Sequence, residues 1–149
     1  MRISTKGRYA LRVMIELAKN GNNEYMPLHM LSERQGISEK YLEGILGILV
    51  RAKVLDGARG KGGGYRLNVD PKTCSVWDIL SLTETSVSPV QCLDDAENKC
   101  ERAGICVTLP VWKELDSIVK NYLGSVKLEQ FISGQDRGQM PGGEWNCGL

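Results

Sequence analysis

The chain has 149 residues, a formal net charge of +1 and 42% apolar residues, which is enough for one domain with an extension and excludes disorder throughout. The charge is unevenly distributed: residues 1–66 hold twelve Lys and Arg against six Asp and Glu, whereas residues 67–149 hold seven against twelve. This split predicts a polyanionic partner for the first half and argues against a protein attracted uniformly to membranes or nucleic acid.

The N-terminus is basic and lacks an apolar signal region, and no stretch reaches the length of a membrane span. We therefore expect a cytoplasmic protein with no membrane partner. Residues 8–19 predict the first helix, with one apolar face closed by Asn20 and Gly21. Four basic residues near its start are either phosphate contacts or a solvated helix face: Arg2, Lys6, Arg8 and Arg12.

Residues 31–49 predict a helix-turn-helix. Gly36 tolerates the left-handed turn that ends a short helix, which begins at Pro27, and Ser38 caps the next helix. Ile37 is placed to form a hydrophobic staple with Leu42 of that helix. Four apolar residues of the second helix fall on one buried stripe: Leu42, Ile45, Leu46 and Leu49.

The opposite face of the second helix is polar at its start and small further along, which suits a helix that enters the major groove of DNA. It carries Ser38, Glu39, Lys40, Glu43, Gly44 and Gly47. The alternative is an ordinary helical hairpin. The two glycines favour DNA, because each costs about 1 kcal/mol relative to alanine and close approach to another surface explains them.

Residues 54–67 predict two short strands joined by a basic, glycine-rich tip, in the form of a wing. The tip opens no helix, so it matches neither a P-loop nor a dinucleotide fingerprint. Arg59 and Lys61 are placed to reach backbone phosphate or a narrow minor groove.

After Pro71 a new helix is predicted, with Ser75 and Asp78 forming a capping box. Cys74 precedes the cap and is expected to be structural, packing on Ile79.

Residues 85–107 predict a loop with too few apolar residues to fold independently. Three of the five cysteines of the chain lie in it, spaced C-x7-C-x5-C: Cys92, Cys100 and Cys106. In a reducing compartment this clustering indicates metal or redox chemistry before disulfides. Thiolates bind zinc, copper(I) and iron-sulfur clusters, and the alternative is three unligated thiols in a surface loop.

A strongly amphipathic helix is predicted from Pro110 to Gly124, and a short helix follows it at 128–132. Because a helix-turn-helix usually reads a two-fold site as a dimer, we assign the long helix to a homodimer interface, with packing inside one protomer as the alternative. The expected fold is mainly α with a small β wing. Its parts are a winged helix-turn-helix domain (1–70), a cysteine-loop sensor with dimerisation helices (71–133) and a disordered tail (134–149).

With these motifs in place, the chain resembles the Rrf family of winged-helix transcriptional regulators, and within it the IscR-like regulators that carry iron-sulfur clusters. The resemblance covers about residues 1–133. It rests on four elements: the N-terminal segment 1–10, the segment 32–43 around the turn, the wing segment 59–65, and a cysteine loop that precedes a long helix.

The resemblance implies a dimeric transcription factor that binds palindromic promoter sites in double-stranded DNA. It implies that an iron-sulfur cluster, 2Fe-2S rather than 4Fe-4S, is held by Cys92, Cys100 and Cys106. It also implies the DNA contacts: Arg59 enters the minor groove, and the major groove faces Ser38, Lys40, Tyr41 and Glu43. A carboxylate such as that of Glu43 can accept a hydrogen bond from cytosine N4 but repels phosphate. We therefore expect Glu43 to discriminate between DNA sequences more than to add affinity.

The chain departs from the family pattern at the fourth ligand. IscR-like proteins have a histidine three residues after the third cysteine, where this chain has Leu109, and nitric-oxide-sensing relatives use an acidic residue near the N-terminus, where it has Arg8. The open candidates are an exogenous molecule or one of Asp94, Asp95, Glu97, Glu101, Cys147 and His29.

Three other hypotheses compete with the cluster sensor. A thiol switch or structural zinc in the loop would keep the DNA binding. An enzyme is disfavoured, because one histidine, no C-x-x-C pair and no nucleotide-binding loop leave no catalytic set. A pure interaction module, in which the cysteine loop would bind a partner such as a cluster-assembly protein, is disfavoured by the basic first half and the wing.

Overall fold

The computed structural model describes residues 2–21 and 24–132. The predicted tail, with Trp145 and Cys147, lies outside the described residues. The elements, in chain order, are α1 (Thr5–Asn20), α2 (Leu28–Gln35), α3 (Glu39–Arg51), β1 (Leu55–Ala58), β2 (Gly64–Leu67), α4 (Val76–Thr83), a 3-10 turn (Gln91–Leu93), α5 (Leu109–Ser125) and a second 3-10 turn (Leu128–Phe131).

Helix α1 begins at Thr5, three residues before its predicted start. Ser4 caps it, because its side-chain oxygen accepts a hydrogen bond from the Gly7 amide at 3.1 Å. The predicted end is confirmed, since Gly21 follows the helix with a positive φ of 88°. The helix therefore extends through the basic N-terminal segment.

The helix-turn-helix has its predicted form. Gly36 ends α2 in the left-handed conformation with φ of 64°, and Ser38 caps α3. Ile37 and Leu42, the two members of the predicted staple, are both buried in the main hydrophobic core.

The wing is a two-stranded antiparallel sheet in which Leu55 pairs with Leu67 and Ala58 with Gly64. Strand β2 ends at Leu67, the last residue of the predicted wing. The loop before α2 extends the pairing, because the amides and carbonyls of Met26 and Tyr65 exchange two hydrogen bonds of 2.9 Å. Gly64 permits this approach: its φ is 141°, and a Cβ there would overlap the Met26 carbonyl.

Two hydrophobic clusters hold the chain together. The main core joins α1, α2, α3 and the wing, and it also includes Cys74, Ile79 and Leu128. The second cluster packs α4 against the end of α5 and contains Val76, Leu80, Val87 and Val126. Helix α4 thus connects the winged helix-turn-helix to the part of the chain that carries the cysteine loop.

Helix α4 begins with the predicted capping box. The Ser75 side chain accepts from the Asp78 amide at 3.1 Å, and the Asp78 carboxylate accepts from the Ser75 amide at 2.8 Å. Helix α5 is longer than predicted at both ends and starts at Leu109, with Pro110 in its first turn, where proline is well tolerated.

Candidate nucleic-acid interface and cysteine loop

Helix α3 buries its apolar stripe and exposes its other face. Leu42, Ile45, Leu46 and Leu49 are at most 1% exposed, as predicted. The four residues assigned to the major groove are all exposed on α3 or at its cap: Ser38, Lys40, Tyr41 and Glu43. The structure thus gathers them on the solvent side of one helix.

Tyr41 is held in place by α1. Its ring meets the Tyr9 ring edge-on, with centroids 5.9 Å apart, and the Arg12 guanidinium lies 5.2 Å from the Tyr9 centroid. Arg12 also donates to the side chain and carbonyl of Gln35, at 3.0 and 2.5 Å. Arg12 is therefore engaged within the protein. Sequence reasoning missed this link, because nothing in the local pattern pairs α1 with Tyr41.

The wing is braced by a polar cluster at its base. Asp56 accepts a hydrogen bond from the Tyr25 hydroxyl at 2.7 Å and two from the Arg66 guanidinium at 2.9 and 3.2 Å. These bonds lower the pKa of Asp56, and the bond to Asp56 raises the pKa of Tyr25. Arg66 also lies 4.6 Å from the Tyr25 ring centroid. The basic tip carrying Arg59 and Lys61, both exposed, thus stands on a fixed base.

The glycines of α3 face open space. A Cβ at Gly44 would meet no atom within 4 Å, and one at Gly47 would meet only the Arg51 guanidinium, at 3.5 Å. Packing within the described chain therefore does not require either glycine.

A second polar link joins the N-terminus of α1 to the end of α4. The Glu84 carboxylate accepts from the Ser4 hydroxyl at 2.7 Å and from the Ser4 amide at 3.2 Å. Gly7 makes room for it, because a Cβ at position 7 would overlap the carboxylate. The positive end of the α1 dipole also stabilises the negative charge of this carboxylate. The cysteine loop begins at the next residue, Thr85.

Two of the three loop cysteines share a cavity. Cys92 and Cys100 line a space of about 420 Å³ together with Asp95, Glu97 and other polar residues of the loop. The Lys99 ammonium lies 2.7 Å from the Asp95 carboxylate. The loop is further shaped by hydrogen bonds from Ser86 to Asp94 and from Ser88 to the Leu93 carbonyl.

Cys106 does not line that cavity. Its sulfur lies 3.5 Å from the Thr108 hydroxyl, just before α5. This hydrogen bond, assisted by backbone amides at the start of the helix, lowers the pKa of Cys106. Among residues 2–21 and 24–132, no three His, Cys, Asp or Glu side chains are grouped so that they could hold a metal ion. His29 is exposed on α2, and Leu109 is buried.

Cys74 is a different kind of thiol. It is 6% exposed and belongs to the same core cluster as Ile79, as predicted. Burial raises its pKa to about 11, so it is protonated and unreactive at neutral pH.

Helix α5 presents two apolar faces. Val119 and Leu123 pack against the second cluster, whereas Val111 and Ile118 are 59% and 55% exposed. Leu115 and Tyr122 extend the exposed stripe. Across the described ranges, no helix combines the length and the apolar character needed to span a bilayer.

Comparison with known proteins agrees with this geometry. The model of the Rrf2 family, described as an iron-dependent transcriptional regulator, matches residues 3–134. The chain belongs to the Rrf2 family. The resemblance drawn from the N-terminal segment, the turn, the wing and the cysteine loop is therefore confirmed.

Named regulators are similar to this chain in sequence and in structure. The transcriptional regulator IscR of Vibrio vulnificus is 34% identical over 133 residues, which are 89% of this chain and 78% of that protein. Among solved structures, CymR, the global cysteine regulator of Bacillus subtilis, has a TM-score of 0.73 at 34% identity, covering 91% of this chain and 99% of that one. T. potens IscR has a TM-score of 0.72 at 29% identity, covering 96% and 94%.

These neighbours confirm the winged-helix fold class and identify the chain as a transcriptional regulator rather than an enzyme. The structural neighbours include both IscR and CymR, a global cysteine regulator.

Proposed function

We propose that this Rrf2-family regulator binds promoter DNA as a homodimer and that chemistry at Cys92, Cys100 and Cys106 modulates the binding. The observation that carries the proposal is the placement of two features in one chain. The exposed polar face of α3 lies beside the basic wing, and the loop that holds the three thiols follows a helix packed on α1.

The DNA-binding part rests on exposure and chemistry. Ser38, Lys40, Tyr41 and Glu43 face solvent on α3, whose first turns would enter the major groove. Arg59 and Lys61 would reach the minor groove and the backbone phosphates from the wing.

The exposed stripe on α5 supports the homodimer. It is a continuous apolar surface along one side of a 17-residue helix. A second copy of this helix would cover it, and the two wings would then read two half-sites related by two-fold symmetry, which accounts for a palindromic site.

An iron-sulfur cluster is the first candidate for the modulating chemistry. Three thiols are the right donors for it, and the resemblance to IscR-like proteins supports 2Fe-2S over 4Fe-4S. The positions of the three thiols do not fit a cluster in this structure, because Cys106 does not line the cavity that Cys92 and Cys100 share. Leu109 offers no ligand. Asp95 and Glu97 lie beside the two thiols, but Lys99 already pairs with Asp95.

A thiol switch is the second candidate, and the separation of the thiols favours it. Cys92 and Cys100 line one cavity without the third thiol, and the hydrogen bond from Thr108 that lowers the pKa of Cys106 increases the reactivity of that thiol. The structural likeness to CymR of Staphylococcus aureus, which has been solved in an oxidized form, supports the same hypothesis. A structural zinc would need the three thiols together, as a cluster would.

The test is the content of iron, zinc and acid-labile sulfide per dimer, with the visible spectrum, in protein purified without oxygen. Equal amounts of iron and sulfide, lost in Cys100→Ala and retained in the control Cys74→Ala, would support the cluster. Colourless, iron-free protein that binds DNA and cannot be reconstituted would support the thiol switch, and one zinc per protomer would support the structural metal. DNA binding that none of these states affects would refute the sensor proposal.

A further inference from the structure

A groove of about 630 Å³ separates α3 from the wing. Five glycines line it, namely Gly47, Gly57, Gly60, Gly63 and Gly64. Among the described residues that line it, three carry charge, and these are Glu43, Arg51 and Arg59. The groove therefore admits a bulky chain close to the protein backbone, between two arginines.

Arg51 has no role in the sequence argument, and it is the last residue of α3. Its side chain lies back along the helix over Gly47, since a Cβ built on Gly47 would be 3.5 Å from the Arg51 Nη1 atom. Within residues 2–21 and 24–132, no hydrogen bond or ion pair involves its guanidinium, and the residue is exposed. Its five donors are thus available to a ligand.

The proposed position of α3 and the wing on DNA determines which part of the DNA passes through this groove. The inference therefore rests on the proposed function. If α3 lies in the major groove and Arg59 in the adjacent minor groove, the sugar-phosphate strand between those two grooves must pass between α3 and the wing. We propose that the groove holds that strand and that Arg51 binds one of its phosphates. A planar guanidinium suits a phosphate, with two parallel hydrogen bonds.

Glu43 fixes the end of the groove at which the phosphate lies. A carboxylate repels phosphate, and Glu43 precedes Arg51 by eight residues, or about 12 Å along the helix. The phosphate therefore lies at the Arg51 end of the groove. Glu43 is left to face the bases.

The test is the salt dependence of DNA binding by the full chain. The probes are a promoter duplex that wild-type protein enriches from genomic fragments and an unrelated duplex of equal length. One lost phosphate contact per protomer removes two per dimer, so Arg51→Ala should reduce the slope of log affinity against log salt by about 2. The affinity lost between 50 and 200 mM salt should then be about tenfold smaller than in wild type.

Arg51→Ala should weaken binding to both duplexes by a similar factor, because a phosphate contact carries no sequence information. Arg51→Lys keeps the charge and should keep the slope. Lys53→Ala is the matched control: it removes a positive charge two residues away that does not line the groove, and its slope should equal that of wild type.

Three results would overturn the proposal: an unchanged slope in folded Arg51→Ala, an equal loss of slope in Lys53→Ala, or a loss confined to one base-pair position of the promoter. Wild-type protein that enriches no DNA would instead refute the proposed function, and the inference with it.

Discussion

The contact between Gly7 and Glu84 gives a prediction whose size follows from the structure. Alanine at position 7 places a Cβ where the Glu84 carboxylate lies, with the Leu80 Cδ2 atom 3.1 Å away. The carboxylate is the mobile end of its side chain, so it moves aside. It then loses the hydrogen bonds of 2.7 and 3.2 Å from Ser4.

Hydrogen bonds to a charged group contribute about 1.5–3 kcal/mol each, and the partial exposure of Glu84 places these at the low end. The higher helix propensity of alanine returns up to about 1 kcal/mol. Gly7→Ala should therefore lower the free energy of unfolding by about 1–3 kcal/mol, or the melting temperature by roughly 3–10 °C.

The assay is thermal and denaturant unfolding at a fixed protomer concentration, because a dimer's stability depends on it. Gly44→Ala is the control, since it makes the same substitution in a helix where the Cβ meets nothing, and it should stabilise by up to about 1 kcal/mol. In a Glu84→Ala background, Gly7→Ala should lose most of its cost. A Gly7→Ala protein as stable as wild type, or a cost that is undiminished in the Glu84→Ala background, would refute the reasoning.

Three further predictions concern the thiols, the wing and the dimer. In timed alkylation followed by mass spectrometry, Cys106 should react in the folded protein, while Cys74 should react only on unfolding; labelling of native Cys74 would contradict its burial. Because the folded pKa of Asp56 is lowered, its contribution to stability is present above its unfolded pKa near 4 and is lost as the pH falls through the folded value. Asp56→Asn should accordingly remove part of the acid dependence seen in unfolding experiments, and an unchanged pH profile would count against the cluster at the base of the wing. Ile118→Lys should give folded monomers by light scattering, whereas Ser117→Lys, on another face of α5, should leave the dimer intact.

Local patterns in the sequence were sufficient to predict the helices and their ends. Gly36, the Ser38 cap and the Ser75 capping box each depend on residues within one helical turn, and each is found as predicted. The buried stripe of α3 follows from a 3.6-residue period, which is also local.

Contacts between distant residues escaped sequence reasoning. Glu84 and Ser4 are 80 residues apart, and no motif links them. The pairing of Met26 with Tyr65 joins a loop to a strand 39 positions later. Nothing in the local sequence distinguishes Arg51 from any arginine at the end of a helix. The groove forms only because the wing lies beside it. The separation of Cys106 from Cys92 and Cys100 likewise depends on how the loop folds, and spacing alone does not reveal it.

The central claim is that the state of the cysteine loop changes promoter binding. The most direct measurement is the dissociation constant for one promoter duplex, by fluorescence anisotropy at fixed salt. It compares anaerobic protein with the same preparation after treatment with a thiol oxidant and an iron chelator. We expect a change of about 5–150-fold, the usual range of coupling between sites, and its loss when all three loop cysteines are replaced by serine. Equal dissociation constants in the two states of a protein that binds the duplex would contradict the claim.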